Sequence, residues 1–179
     1  MGGAAAAPYK RETEVSTAMA NRFERAIQRI DEANSEDPAL LVVNGQPRPK
    51  ELAHAEMLTE WVRRLRPDAD EVLLLAARAH HIRRWESPRS SYPEGRKGYL
   101  RWRTDLHKFH AREAGAILEE CGYDAATIAR VQQIISKHGL GRDLDVQSLE
   151  DALCLVFLDT QLTALIADLP EETMVNVLR

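Results

Sequence analysis

The chain has 179 residues, of which 44% are apolar and 29% are charged. This length is enough to bury the core of one domain, and the composition excludes a disordered or collagen-like chain. Lys and Arg total 24 against 28 Asp and Glu, so the formal net charge is −4. The protein as a whole therefore does not attract nucleic acid, and any anion site must be a local basic patch.

Three features predict a cytoplasmic protein without membrane association. No apolar run approaches the roughly 20 residues of a membrane-spanning helix. The N-terminal segment lacks a hydrophobic signal core and reaches acidic residues early. The two cysteines, Cys121 and Cys154, do not form a disulfide framework, so a reducing compartment is the simple interpretation.

The first part of the chain is predicted to be a tail followed by a helix. Residues 1–19 are small and polar without a period, which indicates a flexible tail, and residues 20–179 are predicted to form one helical domain. The first helix ends at the breaker run 34–38. Residues 39–48 are predicted to be an ordered loop.

The next two helices are predicted to be separated by a proline. One begins near Pro49 and runs to residue 66, before Pro67. Asp68 offers an N-cap for the following helix, which is apolar nearly all round and should be central and buried. Residues 85–98, rich in Pro and Gly, are predicted to be a loop.

Three further helices are predicted in the second half. The fourth helix covers residues 99–121, and Asp124 caps a fifth that ends near His138. Ser148 opens a sixth, and a short helix follows Pro170. No strand pair is predicted. The sequence therefore predicts an all-α domain of about six main helices.

Histidines lie on the apolar stripes of these predicted helices. His54 continues the buried stripe of the second helix, and His80 and His81 end the third. His110 and His138 lie on the stripes of the fourth and fifth. Five imidazoles are therefore predicted to point inward near helix ends.

Asp151 lies on the apolar stripe of the sixth helix, although Ser148 to Asp151 also has the pattern of a capping box. Each histidine alone is explained as a hydrogen-bonded core residue, and His138 also as a cation at a helix C-terminus. Several unpaired imidazoles in one core are costly without a shared partner. A metal ion is such a partner, and a carboxylate would complete its ligands.

The order of these residues resembles the HD-domain superfamily over most of residues 50–160. That superfamily has a His on an early helix, a His-Asp doublet after an Ala/Leu-rich helix, and a distant Asp. The resemblance implies an HD-type helical domain whose metal ligands match His54, His80, His81 and Asp151.

Extended superfamily members have two further histidines, which match His110 and His138. These two would be additional ligands, support the ligands from behind or contact the substrate. The string AARAHHIRRWESPRSSYPEGRKGYLRWRTDLHKFH (76–110) also resembles a family catalogued as domain of unknown function 4202. That narrower resemblance implies little about function.

The chain departs from the superfamily at the doublet, where His81 replaces the Asp. Because that Asp usually ligates or bridges metal, we expect a site for one divalent transition metal, which would be Mn, Fe, Co, Ni or Zn. Glu86, just beyond the helix end, is a candidate general acid or base. A salt bridge to a neighbouring arginine explains Glu86 equally well.

The segment 83–103 is basic although the protein as a whole is acidic, since it has seven Lys or Arg against two Glu. It begins where the histidine pair ends, and its Trp and Tyr residues could stack on a base. Because arginine binds phosphate bidentately, we predict a phosphate-binding set of Arg83, Arg84, Arg89 and Arg96. A solvated loop is one alternative. Nucleic acid is another, although so short a stripe offers few phosphate contacts.

Three functions are compatible with these residues, in order of preference. The first is a metal-dependent phosphohydrolase acting on a nucleotide or another small phosphate ester. The second is an iron-dependent oxygenase, since some HD-like proteins bind iron and activate oxygen. The third is a non-catalytic nucleotide- or RNA-binding module. The sequence leaves the metal, the substrate and the oligomeric state open.

Overall fold

The computed structural model describes the backbone of residues 8–168 and the side chains of residues 22–162. Within that part, the chain forms six α-helices and one β-hairpin, so the all-α prediction is confirmed. The elements are α1 (Pro8–Ser35), β1 (Leu40–Val43), β2 (Gln46–Pro49), α2 (Lys50–Leu65), α3 (Glu71–Ala79), α4 (Gly95–Glu120), α5 (Ala125–Ile135) and α6 (Leu144–Asp168). Two 3-10 turns, Arg84–Glu86 and Arg89–Ser91, lie between α3 and α4. No helix in this range is long and apolar enough to cross a lipid bilayer.

The start of α1 differs from the prediction. The helix begins at Pro8, so the backbone of residues 8–19 is helical in the segment that the sequence assigned to a tail. The first seven residues and the helix predicted after Pro170 lie outside the described range.

Helix α3 is the centre of the fold, as its apolar circumference predicts. It packs against each of the other five helices, and residues such as Leu75 and Ala77 are completely buried. Its N-cap is Asp70, which accepts a hydrogen bond from the Leu73 N–H at 2.9 Å. The predicted cap, Asp68, instead pairs with Arg66.

The prediction that residues 39–48 contain no strands is wrong. β1 and β2 pair antiparallel, with Leu40 opposite Pro49 and Val43 opposite Gln46. The turn between them is Asn44-Gly45, with φ of 49° and 76°. Asn-Gly favours this two-residue hairpin turn because both positions require positive φ.

Helix α6 begins earlier than the sequence predicts. Its first residue is Leu144, and the Asp143 carboxylate accepts hydrogen bonds from the N–H groups that follow it. The Ser148 hydroxyl therefore lies inside the helix and donates to the Leu144 carbonyl, so the predicted capping box does not form. Asp124 does cap α5, by accepting from the N–H of Ala126.

Candidate metal centre

The first turn of α2 presents a carboxylate and an imidazole on one face. Glu51 is 4% exposed, and its Oε2 lies 3.7 Å from Nδ1 of His54. Residues three apart on a helix are neighbours. The turn is anchored by the buried Asp37, whose Oδ2 accepts the Glu51 backbone N–H at 2.9 Å.

The end of α3 brings a second imidazole to the same carboxylate. Nδ1 of His81 lies 3.4 Å from Oε2 of Glu51. One ligand atom from each of Glu51, His54 and His81 lies within 4.8 Å of the other two. Two ligands of a tetrahedral zinc ion, each at about 2.0–2.2 Å, stand about 3.4 Å apart. This group of three, a buried carboxylate and two half-buried imidazoles called the ligand triad below, could therefore hold one metal ion.

The electrostatics of the ligand triad suit a cation. Burial raises the pKa of the Glu51 carboxyl, but the adjacent His54 and His81 rings outweigh burial and hold the pKa below its ordinary value. Burial lowers the pKa of His81, against an opposing effect of Glu51. Within the described residues Oε2 of Glu51 receives no hydrogen bond. An ionised carboxylate beside a neutral imidazole is the form in which both groups bind metal.

His110, on α4, has the hydrogen bonding of a metal-binding histidine. The ring is 1% exposed, and its Nδ1 lies 2.7 Å from the Ile82 carbonyl oxygen, so Nδ1–H is the donor. Nε2 therefore carries a lone pair, and it has no partner among the described residues. Metal ligands commonly fix the other ring nitrogen in this way. Burial, with the nearby His81, lowers the pKa of His110 to about 3.

His80 packs directly against the ligand triad. Its ring stacks on His81 with centroids 4.4 Å apart, and it is 3% exposed. Burial lowers its pKa well below the ordinary value, so it is neutral. His80 thus supports the ring orientation of His81.

A cavity of about 470 Å³ opens beside these histidines. Its charged lining includes three cations, Arg84, Arg103 and Lys137. Nε of Arg84 lies 4.0 Å from Oε1 of Glu51. Burial, together with Lys137 and Arg103, lowers the pKa of His107 to about 4, so this cavity-lining ring is neutral at pH 7.

Lys137 lines the cavity, and its own backbone has the left-handed conformation. It has φ of 58° just beyond the end of α5, a conformation that costs a non-Gly residue about 1–2 kcal/mol. Its side chain is 12% exposed, and its ammonium pairs with Glu150 of α6. Lys137 and Glu150 both line the cavity.

The structure brings together five of the residues singled out from the sequence. They line the cavity and are His54, His80, His81, His110 and Arg84.

Asp151 is not brought to the ligand triad. It is exposed, and Gln147 donates a hydrogen bond to its Oδ1 at 2.8 Å. The buried face of α6 instead follows Val146, Leu149 and Val156. Because apolar residues occur on nearly every side of α6, periodicity favoured a stripe that includes Asp151, and packing selected another.

His138 and Glu86 also lie away from the ligand triad. α5 ends at Ile135, and the left-handed Lys137 turns the chain so that His138 is exposed. Glu86 is exposed, and its Oε1 lies 3.9 Å from Nε of Arg83, so the salt-bridge interpretation describes its surroundings.

The other three predicted arginines have different surroundings. Arg83 pairs with Glu113 at 3.3 Å. Arg89 donates to the carbonyl oxygens of Tyr92 and Pro93, which closes its own loop. Arg96 is exposed. Of the predicted phosphate-binding set, only Arg84 lines the cavity.

Sequence reasoning missed Glu51 and Lys137, and it counted Arg103 in the basic segment without assigning it to the phosphate-binding set. Glu51 was detectable, because the spacing Glu51-x-x-His54 places both side chains on one helical face. Arg103 lies two turns before His110 on α4 and shares its face. Lys137 gave no signal, since a lysine at a helix end normally indicates only a favourable dipole interaction.

Fold and site together define an all-α domain with a buried carboxylate and histidines able to hold a metal ion. The chain belongs to the family described as Domain of unknown function (DUF4202), whose family model matches residues 24–179. The narrower resemblance in the sequence is thereby confirmed. No curated protein and no solved structure matches the chain significantly.

Proposed function

We propose that this protein is a metal-dependent phosphohydrolase of HD-like type that acts on a small phosphate ester, such as a nucleotide. The observation that carries the proposal is the buried, ionised Glu51 between two imidazoles, beside a cavity lined by three cations. Oε2 of Glu51 receives no hydrogen bond from the described residues, and Arg84 stands 4.0 Å from Oε1. A buried carboxylate oxygen without a donor is costly, and a metal ion would satisfy it.

The ligand triad would hold one divalent transition ion, and His110, whose ring centroid lies 5.7 Å from that of His81, would pack beside it. When bound, such an ion lowers the pKa of a water ligand and polarises a phosphoryl oxygen. The HD-like interpretation depends on the sequence order, in which His54 on an early helix is followed by the pair His80-His81. Glu51 supplies the carboxylate that the doublet lacks.

The remaining cavity groups suit a phosphate substrate. Arg84, Arg103 and Lys137 would neutralise the phosphate oxygens. Glu150, beside Lys137 on the cavity wall, would take the acid–base role for which the sequence suggested Glu86. In this arrangement Arg84 and Lys137 approach the phosphate from different elements.

The first test is metal content, measured by mass spectrometry on untagged protein purified without chelator. We expect near-stoichiometric metal in the wild type, and metal affinity at least tenfold weaker in Glu51→Gln and His81→Ala. Glu86→Gln, which removes an exposed carboxylate outside the cavity, should retain the metal. Full metal content in both triad variants would show that the site is wrong.

The second test is turnover of a nucleotide and phosphoester panel after loading with Mn, Fe, Co, Ni or Zn. Hydrolysis that disappears in Glu51→Gln supports the proposal, and no turnover with any of the five metals contradicts it. Ligand binding that survives chelation, without turnover, would support the binding module instead.

An iron-dependent oxygenase is the second candidate, because the ligand triad has two histidines and one carboxylate. That ligand set is typical of non-haem iron oxygenases. Iron-loaded protein whose optical spectrum responds to oxygen and to reductant would favour this activity. A spectrum that ignores both would exclude it.

A further inference from the structure

The cavity beside the ligand triad has two chemically different walls. The start of α2, the segments that follow α3 and α5, and α4 supply the histidines and the three cations. The wall supplied by α6 beyond Glu150 is mostly apolar, with Leu153, Val156, Phe157, Leu158 and Leu162. Leu58 of α2 and Leu106 of α4 extend it.

Part of this apolar wall is open to solvent. Phe157 is 36% exposed and Leu158 is 40% exposed. Exposed apolar surface inside a cavity that also holds convergent charged groups is typical of a ligand site. The ligand that fits both walls carries an anionic group at one end and an aliphatic group at the other.

The polar groups of a nucleoside find few partners on this wall. Among the described residues of α6 beyond Glu150, Cys154 and Gln161 are the polar side chains that line the cavity. Sugar hydroxyls and base edges buried there would lose hydrogen bonds to water without replacement. Phe157 is the one aromatic ring on the α6 wall within the described range, so a base lying against α6 would stack on that ring alone.

We infer that the substrate is the phosphate monoester of an aliphatic alcohol, with its phosphate at Arg84, Arg103 and Lys137 and its chain against α6. The inference rests on the proposed function for the reaction. Water oxygen forms a bond to phosphorus, the bond from phosphorus to the alcohol oxygen breaks, and a proton from water ends on that oxygen. Nothing is oxidised or reduced.

The test uses binding of n-alkylphosphonates, which cannot be hydrolysed, from methyl to octyl. By calorimetry we expect affinity to increase roughly fourfold per methylene as the chain covers the α6 wall, and to level off when the cavity is full. Nucleoside monophosphates should bind more weakly than the octyl compound. Affinity independent of chain length, or tighter nucleotide binding, would overturn the inference.

Variants locate the effect on α6. In Phe157→Ser, binding affinity should increase less with each methylene of the ligand, and methylphosphonate binding should stay unchanged. Leu144→Ser removes an apolar side chain of the same helix that is 65% exposed and outside the cavity. It should leave the whole series unchanged, and a Phe157→Ser series equal to wild type would also contradict the inference.

The binding series and the turnover assay separate the two proposals. Metal-dependent hydrolysis of a nucleotide, without a chain-length effect on alkylphosphonate binding, would refute the aliphatic substrate and leave the phosphohydrolase standing. A chain-length effect on binding, with no turnover under any of the five metals, would refute the phosphohydrolase and leave the amphiphilic binding site.

Discussion

At the scale of single residues, the site depends on side chains whose surroundings are unfavourable without a ligand. Glu51 is ionised and buried, and three histidines, His54, His80 and His110, each have a buried ring nitrogen without a hydrogen-bond partner in the described part of the chain. Lys137 adds backbone strain at the cavity wall. Strain of this kind persists where the surrounding structure over-determines it, and it is concentrated at functional sites.

The left-handed backbone at Lys137 predicts that two substitutions, both of which remove the ammonium, differ in stability. Lys137→Gly should be more stable than Lys137→Ala by about 1 kcal/mol, because glycine accepts positive φ without a Cβ clash. Both variants should bind inorganic phosphate more weakly than wild type. Chemical denaturation and a phosphate titration measure the two effects.

Asn44 provides the control for this pair, since it has φ of 49° in the hairpin turn, away from the cavity. Asparagine tolerates that conformation, so Asn44→Gly should change stability little and leave phosphate binding unchanged. Equal stability of the two Lys137 variants would refute the role assigned to strain.

At the scale of elements, the ligand triad is assembled by the ends of helices. The N-terminus of α2 carries Glu51 and His54, and the C-terminus of α3 carries His81. Asp37, in the connection after α1, holds the first turn of α2 through the Glu51 N–H. The position of that turn decides the distance between the ligands.

Asp37 should therefore affect metal affinity through the position of α2. Asp37→Ala is expected to weaken metal binding by roughly tenfold, the usual effect of losing a group that orients ligands. The matched control is Asp124→Ala, which removes the cap of α5 and should cost about 1 kcal/mol of stability. Metal titrations measure the affinity of both variants, and chemical denaturation measures their unfolding free energies. Equal metal affinity in the two variants would contradict the positioning role.

At the scale of the whole molecule, ion pairs connect the middle of α5 to the start of α6. Arg130 of α5 donates to Asp143 at 2.5 and 2.9 Å and to Asp145 at 2.6 Å. The hydrogen bonds from Arg130 lower the pKa of Asp143 from the ordinary 3.8 to about 2. A carboxyl group whose pKa is lower in the folded state stabilises the fold above its unfolded pKa.

Acid unfolding should consequently report on Asp143. The stabilisation from this group is complete above about pH 4 and is lost as the pH falls towards 2. Asp143→Asn should reduce stability by about 1 kcal/mol at pH 7, since water screens this partly exposed pair. The difference between variant and wild type should shrink between pH 4 and 2, as measured by denaturation at each pH. A difference that stays constant through that window would refute the assigned pKa.

The sequence by itself determined the helical class, the central α3, the cap at Asp124 and the histidines that meet at the cavity. These depend on local periodicity and on side-chain chemistry, which a single chain displays directly. It also contained the signal for the hairpin, in Asn44-Gly45. The family was recognisable from an unusual string of residues.

Only the tertiary structure decided which carboxylate and which cations join the histidines. Periodicity identifies the buried stripe of an amphipathic helix, but α6 has apolar residues on nearly every side, so only its packing against α2 decided that Asp151 is exposed. Lys137 lines the cavity in place of His138 because one left-handed residue redirects the chain. Glu51 contacts His81 because two helix ends, thirty residues apart in sequence, meet in space.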